Sequence, residues 1–133
     1  MVDGGGVPLN ATVTAANRHD VTQLVPLVAG TKLVVPGEGG EDRMPERVLG
    51  DRAYWSAGHH AVLRWMGTEP AVARPGSPHG SGLGVERYVV ERTIATLHQN
   101  RRLKVRYEKR SDIHKAFLTL ACIRICAGRL LAP

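Results

Sequence analysis

Hydrophobic and polar residues alternate along residues 7–17, close to the start of the chain. The positions on one side of this pattern are apolar: Leu9, Ala11, Val13 and Ala15. A period of two that includes β-branched residues predicts a strand with one buried face. The sequence DGGG at residues 3–6 predicts a turn, so this strand should be the second arm of a hairpin whose first arm is almost absent. Further on, Asp20 is placed to cap a short helix that ends at Gly30.

A strand, a helix and a second strand are predicted in the middle of the chain. The first strand ends at Gly50, and the sequence PAVAR at residues 70–74 predicts the second. Between them, Ser56 is placed to cap a helix that ends at Gly67. The apolar positions of that helix are Val62, Leu63, Trp65 and Met66. This order of elements is typical of a right-handed crossover between two parallel strands.

Two longer helices are predicted in the C-terminal half, at residues 85–100 and 111–127. The apolar stripe of the first helix consists of Val90, Ile94 and Leu97. The second helix is apolar on nearly all sides, which predicts a buried helix. The segments at residues 36–46 and 74–84 are rich in glycine and are predicted to be surface loops.

The length of 133 residues predicts a single domain that covers residues 1–133. Apolar residues make up 43% of the chain, which is enough for a core. The longest apolar stretch, residues 117–123, is far shorter than the ~20 residues that a membrane-spanning helix needs. The first residues contain no basic segment followed by an apolar one, so no secretory signal is expected. These features predict a cytoplasmic protein without a membrane partner.

The chain is basic, with 18 lysines and arginines against 12 acidic residues and a pI near 9.9. Such a balance favours a polyanionic partner, either a nucleic acid or an anionic membrane surface. The densest positive cluster is RRLKVRYEKR at residues 101–110. This cluster is suited either to follow a phosphate backbone or to act as a solvated connector between two helices.

Asp51 and Glu91 are the candidate pair of catalytic carboxylates. Asp51 directly follows a predicted strand, and Glu91 lies beside the apolar stripe of the helix at residues 85–100. Mg²⁺ prefers carboxylate oxygens together with substrate phosphates, and two-metal phosphodiester chemistry holds its ions ~3.5–4 Å apart. In the structural alternative, Asp51 caps a turn and Glu91 pairs with Arg87. Spacing alone favours this structural alternative.

Other chemistry-bearing residues form no comparable pattern. Cys122 and Cys126 share one face of a predicted helix, where buried small hydrophobes are more common than a disulfide or metal pair. His59 and His60 are adjacent on a helix and point about 100° apart, so they do not readily share a metal ion. The chain contains neither a Walker loop nor a dinucleotide-binding fingerprint.

Four segments that occur here in one order are far more specific than these separate features. They are VDGGGVPLNATVTAANRHD, VLGDRAY, ERYVVERT and LKVRYEKRSDIHKAFLTLACIRI. Together, over about residues 2–130, they resemble the insertion-sequence transposases of the DDE type. The resemblance implies an α/β fold with a ribonuclease-H-like core and a function in DNA transposition. In that family, three acids bind two Mg²⁺ (or Mn²⁺) ions that activate water, and later a DNA 3′-hydroxyl, for cleavage of element ends and strand transfer.

The resemblance also implies roles for individual residues. Asp51, in GDRAY, matches the second acid of the family, and Glu91 matches the third acid, in the arginine-x-x-x-glutamate motif. Both are therefore expected to be catalytic residues and metal ligands. The residues expected to contact DNA are Arg87, His98, Arg101, Arg102, Lys104 and Arg106.

The chain departs from the family pattern at several positions. Gly84 stands where the family often has a tyrosine, and His98 stands where a lysine is expected. The first acid of the family lies on the opening strand of the core, whereas Asp3 matches a later strand-turn segment. We therefore expect a transposase core that is truncated at its N-terminus, lacks the first strand and the first acid, and is inactive or nearly so by itself.

Different hypotheses about function remain open at this point. In the first, an upstream transposase polypeptide supplies the missing strand, and the completed protein is a homo-oligomer that acts on element ends and target DNA at the nucleoid. In the second, the chain is a non-catalytic DNA-binding remnant of a transposase. In a third, it is an RNA-binding or structural protein that has kept a basic surface.

Overall fold

A computed structural model of the chain describes residues 1–31, 33–34, 42–77 and 84–131. The chain divides into two compact units, one formed by Met1–Val13 with Leu83–Pro133 and the other by Thr14–Gly82. The helices are α1 (Leu24–Ala29), α2 (Ala57–Trp65), α3 (Gly84–His98), α4 (Arg101–Lys104) and α5 (Ser111–Leu131). The strands are β1 (Leu33–Val34), β2 (Asp42–Arg43), β3 (Arg47–Gly50) and β4 (Glu69–Val72). This mixture of helices and strands agrees with the predicted α/β class.

The first unit begins with the predicted turn. The Asp3 carboxylate accepts hydrogen bonds from the backbone N–H groups of Gly5, at 2.9 Å, and Val7, at 2.7 Å. Gly6 has a φ of 87°, in the left-handed region that glycine adopts without a steric penalty. The aspartate therefore closes the turn through its side chain, and the turn prediction is confirmed.

The strand predicted at residues 7–17 is wrong. Val2 and Pro8 form an isolated antiparallel bridge, and residues 9–15 then carry no regular secondary structure. A strand needs a neighbouring strand for its backbone hydrogen bonds; Met1 bonds to Leu9 and Asn10, and the described residues provide no partner strand for residues 11–17. The alternating pattern alone could not supply that partner.

Helices α3, α4 and α5 form the rest of the first unit, and both long helices lie where the sequence predicts them. Their buried faces differ from the prediction. On α3, Thr93 is buried, whereas Val90 and Ile94 of the predicted apolar stripe are 41% and 46% exposed. On α5, Ala121 is buried but Leu120 is 61% exposed. The prediction of a buried α5 is wrong because its contacts with α3 and α4 bury only Ala121 among its described residues.

The second unit contains the predicted strand-helix-strand arrangement. Strands β3 and β4 pair in parallel, with Arg47 opposite Glu69 and Gly50 opposite Val72, and α2 connects them. The Ser56 hydroxyl accepts a hydrogen bond from the N–H of His59, so the predicted helix cap is confirmed.

The core of this unit contains Leu24 and Val28 of α1, Val48 of β3 and Leu63 of α2. Trp65, predicted on the apolar side of α2, is instead 87% exposed. Because each helical residue turns by about 100°, Trp65 lies on the side of α2 opposite the fully buried Leu63.

The short helix predicted from Asp20 to Gly30 is present as a 3₁₀ turn, Asp20–Gln23, followed by α1. Asp20 is the first residue of that turn and not its cap, because His19 occupies the N-cap position. Pro26 is tolerated because it lies in the first turn of α1, where a backbone N–H has no partner within the helix.

The two predicted loops are only partly covered by the described residues. In the segment 36–46, residues 42–43 form β2, which pairs antiparallel with β1, and residues 36–41 lie outside the described part. In the segment 74–84, residues 78–83 lie outside it. Within the described ranges, no helix is long and apolar enough to cross a lipid bilayer.

Candidate active site

Asp51 lies where β3 ends. It is the N-cap of a 3₁₀ turn, Arg52–Tyr54, and its extended backbone has φ −70° and ψ 161°. Its carboxylate accepts a hydrogen bond from the N–H of Arg52, and its side chain is exposed. The structure therefore places this carboxylate at the carboxyl end of a parallel strand, as predicted, and also gives it the capping role of the structural alternative.

The residue before the acid, Gly50, is tightly packed. A Cβ atom added there would lie 3.0 Å from Cγ2 of Val72 and 3.4 Å from Cβ of Tyr54. An alanine at this position would therefore force β4 or the 3₁₀ turn to shift by a few tenths of an ångström.

Besides burial, Asp20 and Asp51 both raise the pKa of Tyr54. Burial raises the pKa of the Tyr54 phenol above its ordinary value, and the negative charges of Asp20 and Asp51 raise it further. The phenol therefore stays protonated and able to donate a hydrogen bond. Asp20 was assigned only a helix cap from the sequence, and no spacing rule could have indicated its effect on Tyr54.

Cationic and aromatic side chains hold the segment after β4 beside the end of β3. The Arg52 guanidinium donates a hydrogen bond to the carbonyl of Ser77 at 2.9 Å. The Arg74 guanidinium lies 5.5 Å from the ring centroid of Trp55, a cation–π distance, and Trp55 meets His60 edge-on with centroids 6.2 Å apart. Two positive charges are thereby fixed in the chain segments that flank Asp51.

Glu91 lies in the other compact unit, on α3, with its side chain exposed. The alternative in which Glu91 pairs with Arg87 concerns a side chain that lies outside the described residues. Asp51 and Glu91 thus occupy separate units, each with its own internal packing.

The remaining predicted DNA-binding residues are exposed around α4. His98 lies in the last turn of α3, and Arg101, Arg102 and Lys104 lie within α4. Arg106 follows in the segment that leads to α5. Exposure on neighbouring elements is compatible with contact to a phosphate backbone.

Arg102 and Arg106 also have a structural role. Arg102 forms an ion pair with Glu108 at 2.7 Å, and its guanidinium lies 5.0 Å from the ring centroid of Phe117. Arg106 donates a hydrogen bond to the Glu108 carbonyl at 3.0 Å. The hydrogen bond from Arg102 holds the pKa of Glu108 below its ordinary value. The basic run is therefore in part a connector between two helices, which is one of the two roles that its sequence allows.

Comparison with known proteins gives this geometry its context. A family model described as "Transposase DDE domain" matches residues 1–126. The chain belongs to the DDE transposase family. A protein of Burkholderia cepacia named "Putative transposase for insertion sequence element IS402" is 48% identical over 130 residues, which cover 98% of this chain and 62% of that protein. The chain thus spans less than two thirds of that relative's length, and no solved structure matches it.

DDE transposases generally use a divalent metal ion. Asp51 and Glu91 offer carboxylate oxygens, which are the donor type that Mg²⁺ and Mn²⁺ prefer. Among the residues that the structure describes, however, no three histidine, cysteine, aspartate or glutamate side chains come together as a metal-binding group. The donor type fits the metal, whereas the described residues of this DDE chain do not complete a ligand set.

Proposed function

We propose that this chain is part of the ribonuclease-H-like catalytic core of an insertion-sequence transposase, with Asp51 and Glu91 as two of its metal-binding acids. Membership of the DDE family supports a function in DNA transposition. The observation that carries the residue assignment is the exposed Asp51 carboxylate at the end of β3. In parallel sheets, ligands bind beyond the carboxyl ends of the strands.

The chemistry proposed for this core is hydrolysis and strand transfer at DNA phosphodiesters. A bound Mg²⁺ or Mn²⁺ would stabilise the negative charge that develops on the scissile phosphate. Asp51 would hold it from β3, its orientation set by the hydrogen bond from the N–H of Arg52. The positive charges of Arg52 and Arg74 would attract the DNA backbone towards Asp51.

We further propose that the first strand and the first acid of the core are supplied from outside these 133 residues. The absence of a three-ligand group among the described residues supports this, and so does the coverage of only 62% of the Burkholderia cepacia protein. The working form would then include an upstream transposase polypeptide, assemble as a homo-oligomer and act on element ends and target DNA at the nucleoid in the cytoplasm.

The test begins with the DNA directly upstream of this coding sequence. If it encodes a strand with an aspartate, the complete transposase is expressed and assayed for Mg²⁺-dependent cleavage of a plasmid that carries the element ends. Asp51→Asn and Glu91→Gln should each reduce cleavage to background while DNA binding is retained. The matched control is Glu69→Gln, which removes an exposed carboxylate paired with Arg64 and should leave cleavage unchanged. Normal cleavage by either acid variant would refute the residue assignment.

The second candidate function is that of a DNA-binding remnant without catalysis. Two observations favour it: the net charge of +6 and the lack of a three-ligand group among the described residues. The chain by itself should then bind duplex DNA with a strong salt dependence and produce no metal-dependent nicking. Failure to bind DNA at moderate salt would refute this candidate.

A further inference from the structure

An open groove lies between α3 and α5 within the first compact unit. Its volume is about 500 Å³. The residues that line it include Arg92 of α3, Arg124 and Arg129 of α5, Gly6 of the N-terminal turn and Gly128 of α5. All three arginine side chains are exposed, so their guanidinium groups are accessible from solvent.

Two of these arginines are held on the same backbone oxygen. The carbonyl of Gly5 accepts hydrogen bonds from Arg129 at 2.7 Å and from Arg92 at 3.2 Å. Two guanidinium groups that share one acceptor atom are close neighbours and repel each other. A carbonyl carries no net charge, so it orients both groups without neutralising either of them.

In the described part of the chain, none of the three groove arginines forms an ion pair, in contrast to arginines such as Arg64, Arg102 and Arg110. The nearby acid of the N-terminal turn, Asp3, directs its carboxylate to the backbone N–H groups of Gly5 and Val7. One negative charge in that turn leaves the three arginines with a net positive charge. The groove is therefore a preorganised positive site whose charge is left for a ligand.

The donor geometry indicates the chemistry of that ligand. A guanidinium group has five N–H donors, and the hydrogen bond to Gly5 uses one donor of Arg92 and one of Arg129. The remaining donors suit the tetrahedral oxygens of phosphate, to which arginine binds through paired hydrogen bonds. An open groove between two helices also accommodates an extended polyanion better than an enclosed small molecule.

We infer that this arginine groove binds backbone phosphates of duplex DNA. The inference rests on the proposed function, since it takes DNA as the polyanion, and it adds a binding site apart from the basic run at residues 101–110. The three arginines form no charge run: Arg124 and Arg129 lie on α5, whereas Arg92 lies on α3. The packing of α3 against α5 brings Arg92 to the other two.

Two substitutions probe the groove without touching the hydrogen bonds to Gly5. Arg124→Gln removes one positive charge. Gly128→Glu adds a negative charge at a position where a Cβ atom meets nothing within 4 Å, so the backbone does not have to move. The matched controls are Gly128→Gln, which has the same shape without the charge, and Arg64→Gln, which removes the same charge from an exposed ion pair outside both the groove and the basic run.

The experiment measures the affinity of the full chain for a fluorescein-labelled duplex by fluorescence anisotropy over a series of KCl concentrations. EDTA is present, so the result does not depend on metal-dependent cleavage. At about 0.1 M salt, Arg124→Gln and Gly128→Glu should each weaken binding about three- to tenfold. Arg124→Gln should also reduce the slope of log K against log salt by about 0.9. Circular dichroism verifies that all variants are folded.

Equal affinities of Gly128→Glu and Gly128→Gln, together with equal effects of Arg124→Gln and Arg64→Gln, would overturn the groove proposal and leave the proposed transposase function intact. A wild-type chain that binds no duplex even at low salt would also overturn it. Loss of cleavage activity in the Asp51 and Glu91 variants is measured separately and does not depend on either result.

Discussion

Replacing Gly50 with alanine tests how tightly β4 packs against the end of β3, directly before Asp51. The added Cβ atom would lie 3.0 Å from Cγ2 of Val72, whereas carbon atoms attract best at about 3.5–4.0 Å. Overpacking of this kind costs about 1–3 kcal/mol. Alanine offsets about 0.4–1 kcal/mol of that cost by restricting the unfolded chain. We therefore expect the free energy of unfolding to fall by about 0–2.6 kcal/mol, centred near 1 kcal/mol.

A double-mutant cycle isolates the cause of this loss. Val72 lies opposite Gly50 in the parallel register, and Val72→Ala removes the Cγ2 atom that the new Cβ would meet. In the Val72→Ala background, Gly50→Ala should therefore cost about 1 kcal/mol less than in the wild type. Urea denaturation of the four proteins gives the free energies, provided that the m-values agree. A coupling energy below about 0.3 kcal/mol would refute the proposed contact.

Three further substitutions test the core, the N-terminal turn and the acid sensitivity. Leu63→Ala, at a side chain with no exposed surface, should lower the free energy of unfolding by about 2–5 kcal/mol. Val62→Ala, at a side chain that is 42% exposed, should lower the free energy of unfolding clearly less than Leu63→Ala in the same urea titration. Equal losses of free energy in the two variants would contradict the assigned core. Thr93→Val removes the 2.9 Å hydrogen bond that the Thr93 hydroxyl donates to the carbonyl of Gly6 in the N-terminal turn. The free energy of unfolding should fall by about 1–2 kcal/mol, measured by thermal unfolding. An unchanged melting temperature would rule out that contribution. The hydrogen bond from Arg102 lowers the pKa of Glu108 in the folded state. The ionised carboxylate therefore stabilises the fold fully at pH values above its unfolded-state pKa of about 4.3. This stabilisation disappears as the pH falls through the lower pKa of the folded state. Glu108→Gln should reduce the change in the free energy of unfolding with pH in that acidic range. A pH dependence identical to that of the wild type would argue against the ion pair.

Local signals in the sequence were sufficient for the central elements of the fold. Strand β3, helix α2 and strand β4 lie where the short apolar segments, the Ser56 cap and the stop at Gly67 predict them. The position of Asp51 at the end of β3 follows from the same signals, because it depends only on where that strand ends. The family resemblance was also confirmed, since its motifs are stretches of contiguous residues that do not depend on how the chain packs.

Signals of that kind did not determine which side of a helix is buried. Apolar residues occur on more than one side of α2 and α5, and either side could face a core. The structure buries Leu63 and exposes Trp65, and it leaves Leu120 in solvent. The deciding factor is which neighbouring elements are present to cover a face. For the same reason, the strand predicted at residues 7–17 lacked a partner and did not form.

The sequence by itself therefore determined the family, the main elements and the position of Asp51, because each depends on residues that are close together in the chain. Only the tertiary structure decided which distant charges become neighbours. Beyond the effect of burial, Asp20 raises the pKa of Tyr54 because the 3₁₀ turns Asp20–Gln23 and Arg52–Tyr54 pack together within one unit. The arginines of the groove meet because α5 packs on α3 and both helices hold the carbonyl of Gly5. Electrostatic interactions depend on distances in space, and helical spacing within one segment does not determine distances between segments.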